Sequence, residues 1–195
     1  MPIQILPFSG DQVLPYIEAL ASLRISVFRD FPYLYDGNME YEAGYLKDFI
    51  QAPDSVLVLA FDGHEVIGAS TGLPLACEPG HIKGPFLDNG FNPESVFYFG
   101  ESVLKQPYRG QGIGRAFFQE RENWASSLGR FDTLAFCAVI RPEDHPLRPR
   151  DYQPLDIFWQ HRGFAPTDMI AYLSWKDLDE TGESPKPLRF WVKSV

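Results

Sequence analysis

The stretch Tyr108-Arg109-Gly110-Gln111-Gly112-Ile113-Gly114-Arg115 decides how the chain is read, because of what stands on either side of it. Before it runs Ser95–Leu104 (SVFYFGESVL), the strongest strand pattern in the sequence, with Gly100 inside it as the mark of a bulge or a close backbone approach. After it, Phe117, Trp124 and Leu128 predict a helix through Leu128 with these residues inward. Three glycines within five residues strip side chains from the turn, so its backbone N–H groups can converge on one ligand. The helix behind adds unpaired donors and its positive end. A pyrophosphate suits such a cradle, with Arg109 and Arg115 supplying formal charge.

Outward from the turn, the sequence predicts alternating elements. Ile3–Leu6 reads as a short strand. Val13, Leu14, Ile17, Leu20, Ala21, Arg24, Ile25 and Phe28 follow a helical period that starts near Pro15 and ends at Phe31-Pro32. A second helix runs from Met39 to Ile50 on a stripe of Met39, Ala43, Leu46, Phe49 and Ile50. Ser55–Phe61 and Glu65–Leu73 form a hairpin about Asp62-Gly63. Residues 76–93, rich in Gly, Pro and Asn, read as a long surface loop, a candidate lid or binding loop. Thr133–Ile140 is a nearly continuous apolar strand suited to a central position. A Pro-rich loop over 141–151 follows, then a short helix over Leu155–Arg162 closed by Gly163. Strands at Ile170–Trp175 and Leu188–Val192 complete the order β-α-α-β-β-β-α-β-α-β-β. This predicts a mixed α/β sandwich with helices on both faces of one sheet.

Composition sets bounds. The 195 residues carry 17 Lys+Arg against 26 Asp+Glu, a formal charge of −9, so nucleic acid and anionic membranes are not expected partners. With 45% hydrophobic residues and no linker or repeat, the whole of 1–195 reads as one domain with a full core. Cys77 and Cys137 show no metal or disulfide spacing, so no metal is expected and a reducing, cytoplasmic setting is. The start MPIQILPFSGDQ has no signal-peptide pattern, and no apolar run spans a bilayer. A homodimer is compatible with all of this.

Three other uses of the glycine turn compete. It could be a ligand-free strand-to-helix turn. A dinucleotide fold needs a third glycine where Arg115 stands, and its ribose-binding acid at a strand end, whereas Asp132 precedes a strand. A Walker loop needs Gly-Lys-Ser/Thr, which is missing. By contrast, Arg109-x-x-Gly112-x-Gly114 resembles the Q/R-x-x-G-x-G/A signature of the GCN5-related N-acetyltransferases (GNAT). It lies where that family places it, between the fourth strand and the third helix. Phe158-Trp159-Gln160-His161-Arg162-Gly163-Phe164 is similar to the family's late F-Y-x-x-x-G-F segment, and the element order resembles the family's along essentially the whole chain.

The resemblance implies an α/β fold with a mixed, mostly antiparallel central sheet and helices on both faces, and an acyltransferase with acetyl-CoA as cosubstrate, acting directly on a primary amine of a small or amino-acid-like acceptor. It implies that backbone of Gly110, Gln111, Gly112, Ile113 and Gly114 holds the CoA pyrophosphate. Val103 and Leu104 would pair with the pantetheine arm, and Phe158 and Trp159 would flank its thioester side. A non-catalytic acyl-CoA-binding module and a dinucleotide-dependent enzyme are the rivals.

For the chemistry, Glu101 is the candidate general base. On a regular strand it shares a face with Phe97, Phe99 and Val103, where a carboxylate would be desolvated and its proton affinity raised. A bulge at Gly100 would re-aim it, and a structural pairing is the alternative. The family commonly has Tyr where this chain has Trp159, and indole cannot deliver a proton as phenol does. Tyr152, His145 and His161 are the replacements, unless the thiolate leaves unaided. Cys137, inside an apolar strand, reads as core. Tyr33 and Tyr35 are candidate substrate-binding residues, or plugs for the core. Asp30, Asp36, Glu40 and Glu42 around them favour a cationic acceptor.

Overall fold

The computed structural model describes residues 2–195, with the side chain of Asp48 outside the description. Twelve elements follow in order. They are β1 (Gln4–Phe8), α1 (Ile17–Phe28), α2 (Met39–Gln51), β2 (Val56–Asp62), β3 (Glu65–Pro74) and α3 (Gly80–Asp88), then β4 (Val96–Leu104), α4 (Ile113–Leu128), β5 (Thr133–Val139), α5 (Asp156–His161), β6 (Ala165–Trp175) and β7 (Ser184–Ser194). The seven strands form one sheet in the order β1-β2-β3-β4-β5-β7-β6. Every neighbouring pair is antiparallel except β4 and β5. The predicted class and the central place of the apolar strand at 133 both hold.

Each face of the sheet carries its own core. On one, Ile17, Leu20, Ala21, Leu46, Phe49, Ile82 and Phe86 from α1, α2 and α3 pack over Leu57, Leu59, Tyr98 and Phe190. On the other, Ile113, Phe117, Phe118 and Ala125 of α4, with Phe158 and Trp159 of α5 beside them, cover Val58, Phe97, Phe99, Phe136 and Trp191. Helix starts and stops follow local chemistry. Asn38 caps α2 by accepting from the Tyr41 N–H at 2.9 Å. Gly129 closes α4 in the left-handed region at φ +65°.

The segment 76–93 is not a surface loop. It contains α3, whose Ile82 and Phe86 are buried and whose Phe86 ring meets Phe190 at 4.8 Å. Ile82 and Phe86 are spaced as one helical face requires, but Gly80, Gly84 and Pro85 lower the intrinsic propensity so far that only tertiary burial reveals the helix. It is core cover, not a lid. Leu14 and Met39, read as inward, are exposed in the turns that open their helices.

The decisive irregularity lies in β4. Pairing with β3 shifts between Ser70↔Ser102 and Gly72↔Phe99, so Gly100 and Glu101 stand opposite Thr71 alone. Residues before this bulge and after it change faces: Phe97 and Phe99 lie on the α4 side, while Val103 lies on the α1 side. The bulge is held from both strands, with the Glu101 N–H donating to Thr71 Oγ1 at 3.0 Å. Arg121 of α4 reaches in from below. It donates to the carbonyls of Thr71 and Glu101, both at 3.2 Å, and to Ser102 Oγ at 3.0 Å. Beyond Tyr98↔Ala135 the parallel strands β4 and β5 no longer pair, and their C-terminal ends part. A Cβ on Gly100 would meet Thr71 Oγ1 at 2.6 Å. Gly100→Ala is therefore expected to cost about 1–3 kcal/mol in urea unfolding, and markedly less in a Thr71→Ala background.

Candidate active site

The turn after β4 is built as its glycines predict. Gly110 and Gly112 take φ +77° and +86°, conformations that side chains resist. Gly112 begins α4 with no side-chain cap. Among the described residues, none of the backbone N–H groups from Gly110 to Arg115 donates to a protein acceptor; the first bonded amide is Ala116, to Gly112 O at 3.1 Å. A Cβ placed on Gly110, Gly112 or Gly114 would meet nothing within 4 Å, so the cradle opens outward. Ile113 is buried as the anchor of the turn, and Gln111 Nε2 braces it by donating to Pro107 O at 3.0 Å. Arg115 is exposed beside the amides. Arg109 donates from Nε to Leu104 O at 3.2 Å and meets Asp30 across 3.5 Å, an exposed pair that contributes little to stability.

Val103 is buried and Leu104 half-buried, paired with Ala69 and Gly68 of β3 on one edge. Their other edge faces the gap that β5 has left. Phe158 and Trp159 line the α4 side of the sheet beyond it. The Trp159 ring lies 5.0 Å from Phe136 and 5.1 Å from Trp191, and Phe158 lies 5.5 Å from Phe118.

Glu101 is not where a regular strand would put it. The bulge turns its side chain away from Phe97 and Phe99, to the face shared with Val103 and α1. There it meets a guanidinium and not bare rings: Arg24 of α1 contacts both Glu101 and Glu42 of α2. The expectation of a carboxylate desolvated among apolar groups alone is thereby corrected. Arg24 lies over the rings of Tyr45, at 4.5 Å, and Phe28, at 5.3 Å. Two carboxylates share one cation, leaving the cluster one formal negative charge.

The predicted acceptor residues and two of the general-acid candidates gather on the same face. Tyr33 packs on Phe28 at 4.8 Å and Tyr152 on Phe31 at 4.7 Å, with His145 also against Phe31 at 5.7 Å. Burial raises the phenol pKa of Tyr33, Tyr35 and Tyr152 above the ordinary range, so each keeps its proton near neutral pH. His161, by contrast, is exposed on α5. Cys137 meets the Tyr98 hydroxyl at 2.9 Å, and burial pushes its thiol up to about 12, which suits a structural thiol.

Sequence reasoning missed four charged residues here. Arg24 had shown itself as the one cation in an apolar helical stripe. Arg121 and Arg141 carried no local signal. Glu78, inside the supposed loop, is half-buried; burial pushes its carboxyl up from 4.5 to about 7, against the pull of Lys83.

No family model and no curated protein matches the sequence. Solved structures do match the fold along the whole chain. The PaiA N-acetyltransferase of Thermoplasma acidophilum, in complex with coenzyme A, shares 15% identity at a TM-score of 0.61, with 100% of each chain covered. A GNAT-family acetyltransferase of Staphylococcus aureus Mu50 shares 13% at 0.61, with 99% of each chain covered. The ribosomal-protein-alanine N-acetyltransferase of Brucella melitensis shares 14% at 0.60, with 100% of each covered. The chain thus has the GNAT acetyltransferase fold.

Two outcomes are expected. Gly114→Leu, at a glycine with ordinary φ, should fill the cradle and abolish the acetyl-CoA binding proposed below, read by calorimetry, while the melting temperature holds; Gly112→Val should lose that binding and add backbone strain. Glu78 titrates from 4.5 unfolded to about 7 folded, so the native state is destabilised as pH rises through that window. Glu78→Gln should then be more stable than wild type at pH ~8, by about 1–3 kcal/mol after allowance for partial solvation, and not at pH ~4.

Proposed function

We propose that the chain is an acetyl-CoA-dependent N-acetyltransferase, one domain over 1–195, that passes acetyl directly to a primary amine of a small or amino-acid-like acceptor. The observation that carries this reading is the run of unpaired amides from Gly110 to Arg115 at the start of α4, beside the parted ends of β4 and β5. Such amides at a helix N-terminus suit a diphosphate, and a structure of the same fold contains coenzyme A. Arg109 and Arg115 add charge at the rim. The open edge of Val103 and Leu104 offers backbone to an extended arm, and Phe158 and Trp159 border its far end.

When bound, acetyl-CoA supplies the acyl thioester; the remaining work falls to the chain. The single net charge of Glu42, Arg24 and Glu101 draws a protonated amine toward the bulge. Glu101 accepts its proton, directly or through water, which frees the nitrogen lone pair for attack. Tyr152, whose burial keeps its phenol protonated, donates to the departing thiolate. Tyr33 and Tyr35 form the acceptor wall. A reducing, cytoplasmic setting suits the free thiols Cys77 and Cys137. Among the described residues no helix is long and apolar enough to cross a membrane, and no group of His, Cys, Asp and Glu suits a metal.

Thiol release with spermidine, L-lysine, an aminoglycoside and a peptide bearing a free N-terminus tests the reading. Glu101→Gln should cut turnover by about 10²–10⁴ and leave acetyl-CoA affinity intact, since Arg24 keeps Glu42 as a partner. Full activity in that variant removes Glu101 from the mechanism. Tight acetyl-CoA binding with no release to any amine favours the non-catalytic module, to which Trp159 in the tyrosine position already points. Binding of NAD(H) in preference to acetyl-CoA favours the dinucleotide enzyme.

A further inference from the structure

Arg141 stands just past β5, in the Pro-rich loop, with its side chain 8% exposed. Four of its hydrogen bonds are accounted for. Nη1 and Nη2 grip Asp177 as a fork, at 2.6 and 2.9 Å. Nε donates to Pro32 O at 2.7 Å, and Nη2 donates also to Tyr33 O at 2.8 Å. Pro32 and Tyr33 lie in irregular chain between α1 and α2, where, among the described residues, no backbone N–H donates to their carbonyls. Unpaired buried carbonyls are costly, and only a planar, many-donor group can serve two of them and a carboxylate together.

The same place joins three segments distant in sequence. Trp175 Nε1 also donates to Tyr33 O, at 3.0 Å. The chain after β6 zips onto the 34–36 segment: Leu178 N–H to Leu34 O at 2.8 Å, Asp36 N–H to Lys176 O at 3.0 Å, and a bridge between Tyr35 and Asp177. The loop that begins at Arg141 brings Tyr152 and His145 onto Phe31. We infer that Arg141 is the positioning residue of the acceptor wall, fixing Tyr33 and Tyr35 against the hairpin of β6 and β7 and so setting affinity for the acceptor without touching the acetyl-CoA cradle. The inference rests on the acetyltransferase reading for the word acceptor, but the clamp itself does not.

The experiment compares wild type, Arg141→Ala, Arg141→Lys and Asp177→Asn in three measurements. Amide exchange is read at Tyr35, Asp36 and Leu178, with β2 and β3 amides as the folding control. Acetyl-CoA affinity is read by calorimetry. Steady-state constants are taken with whichever of the four amines named above turns over fastest. Arg141→Ala should lose protection at least 10-fold at the three amides, keep it in β2 and β3, bind acetyl-CoA within 2-fold of wild type, and raise the acceptor KM at least 10-fold against a change in kcat under 3-fold. Arg141→Lys should not rescue, because a single ammonium cannot replace the fork, and Asp177→Asn should fall between. Unchanged protection at Tyr35, Asp36 and Leu178 overturns the proposal, as does an equal loss of exchange protection across the sheet or rescue by lysine. If wild type turns over none of the amines, the function above fails by itself, and the exchange pattern still decides whether Arg141 holds this wall.

Discussion

One buried arginine under a broken strand governs the layout of this molecule. Arg121 lies 1% exposed with no carboxylate partner among the described residues, its guanidinium 4.2 Å from the Phe99 ring and 4.9 Å from Phe118. Burial lowers its pKa from 12.5 to about 9, so it still carries charge at neutral pH. A cation kept there needs its donors used, and the bulge provides the acceptors: the Thr71 and Glu101 carbonyls and Ser102 Oγ. Arginine and bulge are therefore mutually required. Without the donors, the displaced carbonyls would be orphaned. Without the bulge, the guanidinium would keep only the Phe117 carbonyl of its own helix.

From that break two consequences follow on opposite faces. Above it, Glu101 is delivered to Arg24 and Glu42, which makes a charged cluster in an otherwise apolar layer. Below and beyond it, β4 carries on to the glycine turn while β5 departs, so that the free amides of α4 and an unpaired strand edge open into the same gap. The glycine turn and the charged cluster thus meet at one irregularity, as ligand sites in open sheets gather where neighbouring strands part at their carboxyl ends.

The proposed acceptor side is stiffened by polar contacts and the glycine turn is left bare, for a physical reason. Irregular chain between α1 and α2 must have its carbonyls satisfied, and Arg141, Trp175 and the strand extension at Lys176–Leu178 do this. The glycine turn can leave its amides unpaired because they face water. Apolar rings hold the remainder: Phe118, Phe136, Phe164 and Trp159 form one edge-to-face group beneath the sheet.

Sequence alone determined what depends on neighbours along the chain. The glycine spacing between strand and helix, the hairpin at Asp62-Gly63, the capping Gly163, and the alternation of element types were all legible, because they are set by backbone sterics and periodicity. The fold class and the place of the turn followed from them. Tertiary structure decided what depends on partners far away. It made α3 out of a glycine- and proline-rich segment, because Ile82 and Phe86 found a core to enter. It turned Glu101 from one face to the other by a single unpaired residue opposite Thr71, since side-chain direction in a strand reverses with each residue of register. It also gave Arg24, Arg121 and Arg141 their meaning. A buried guanidinium is specified by acceptors dozens of residues distant, and no local pattern records where those will be.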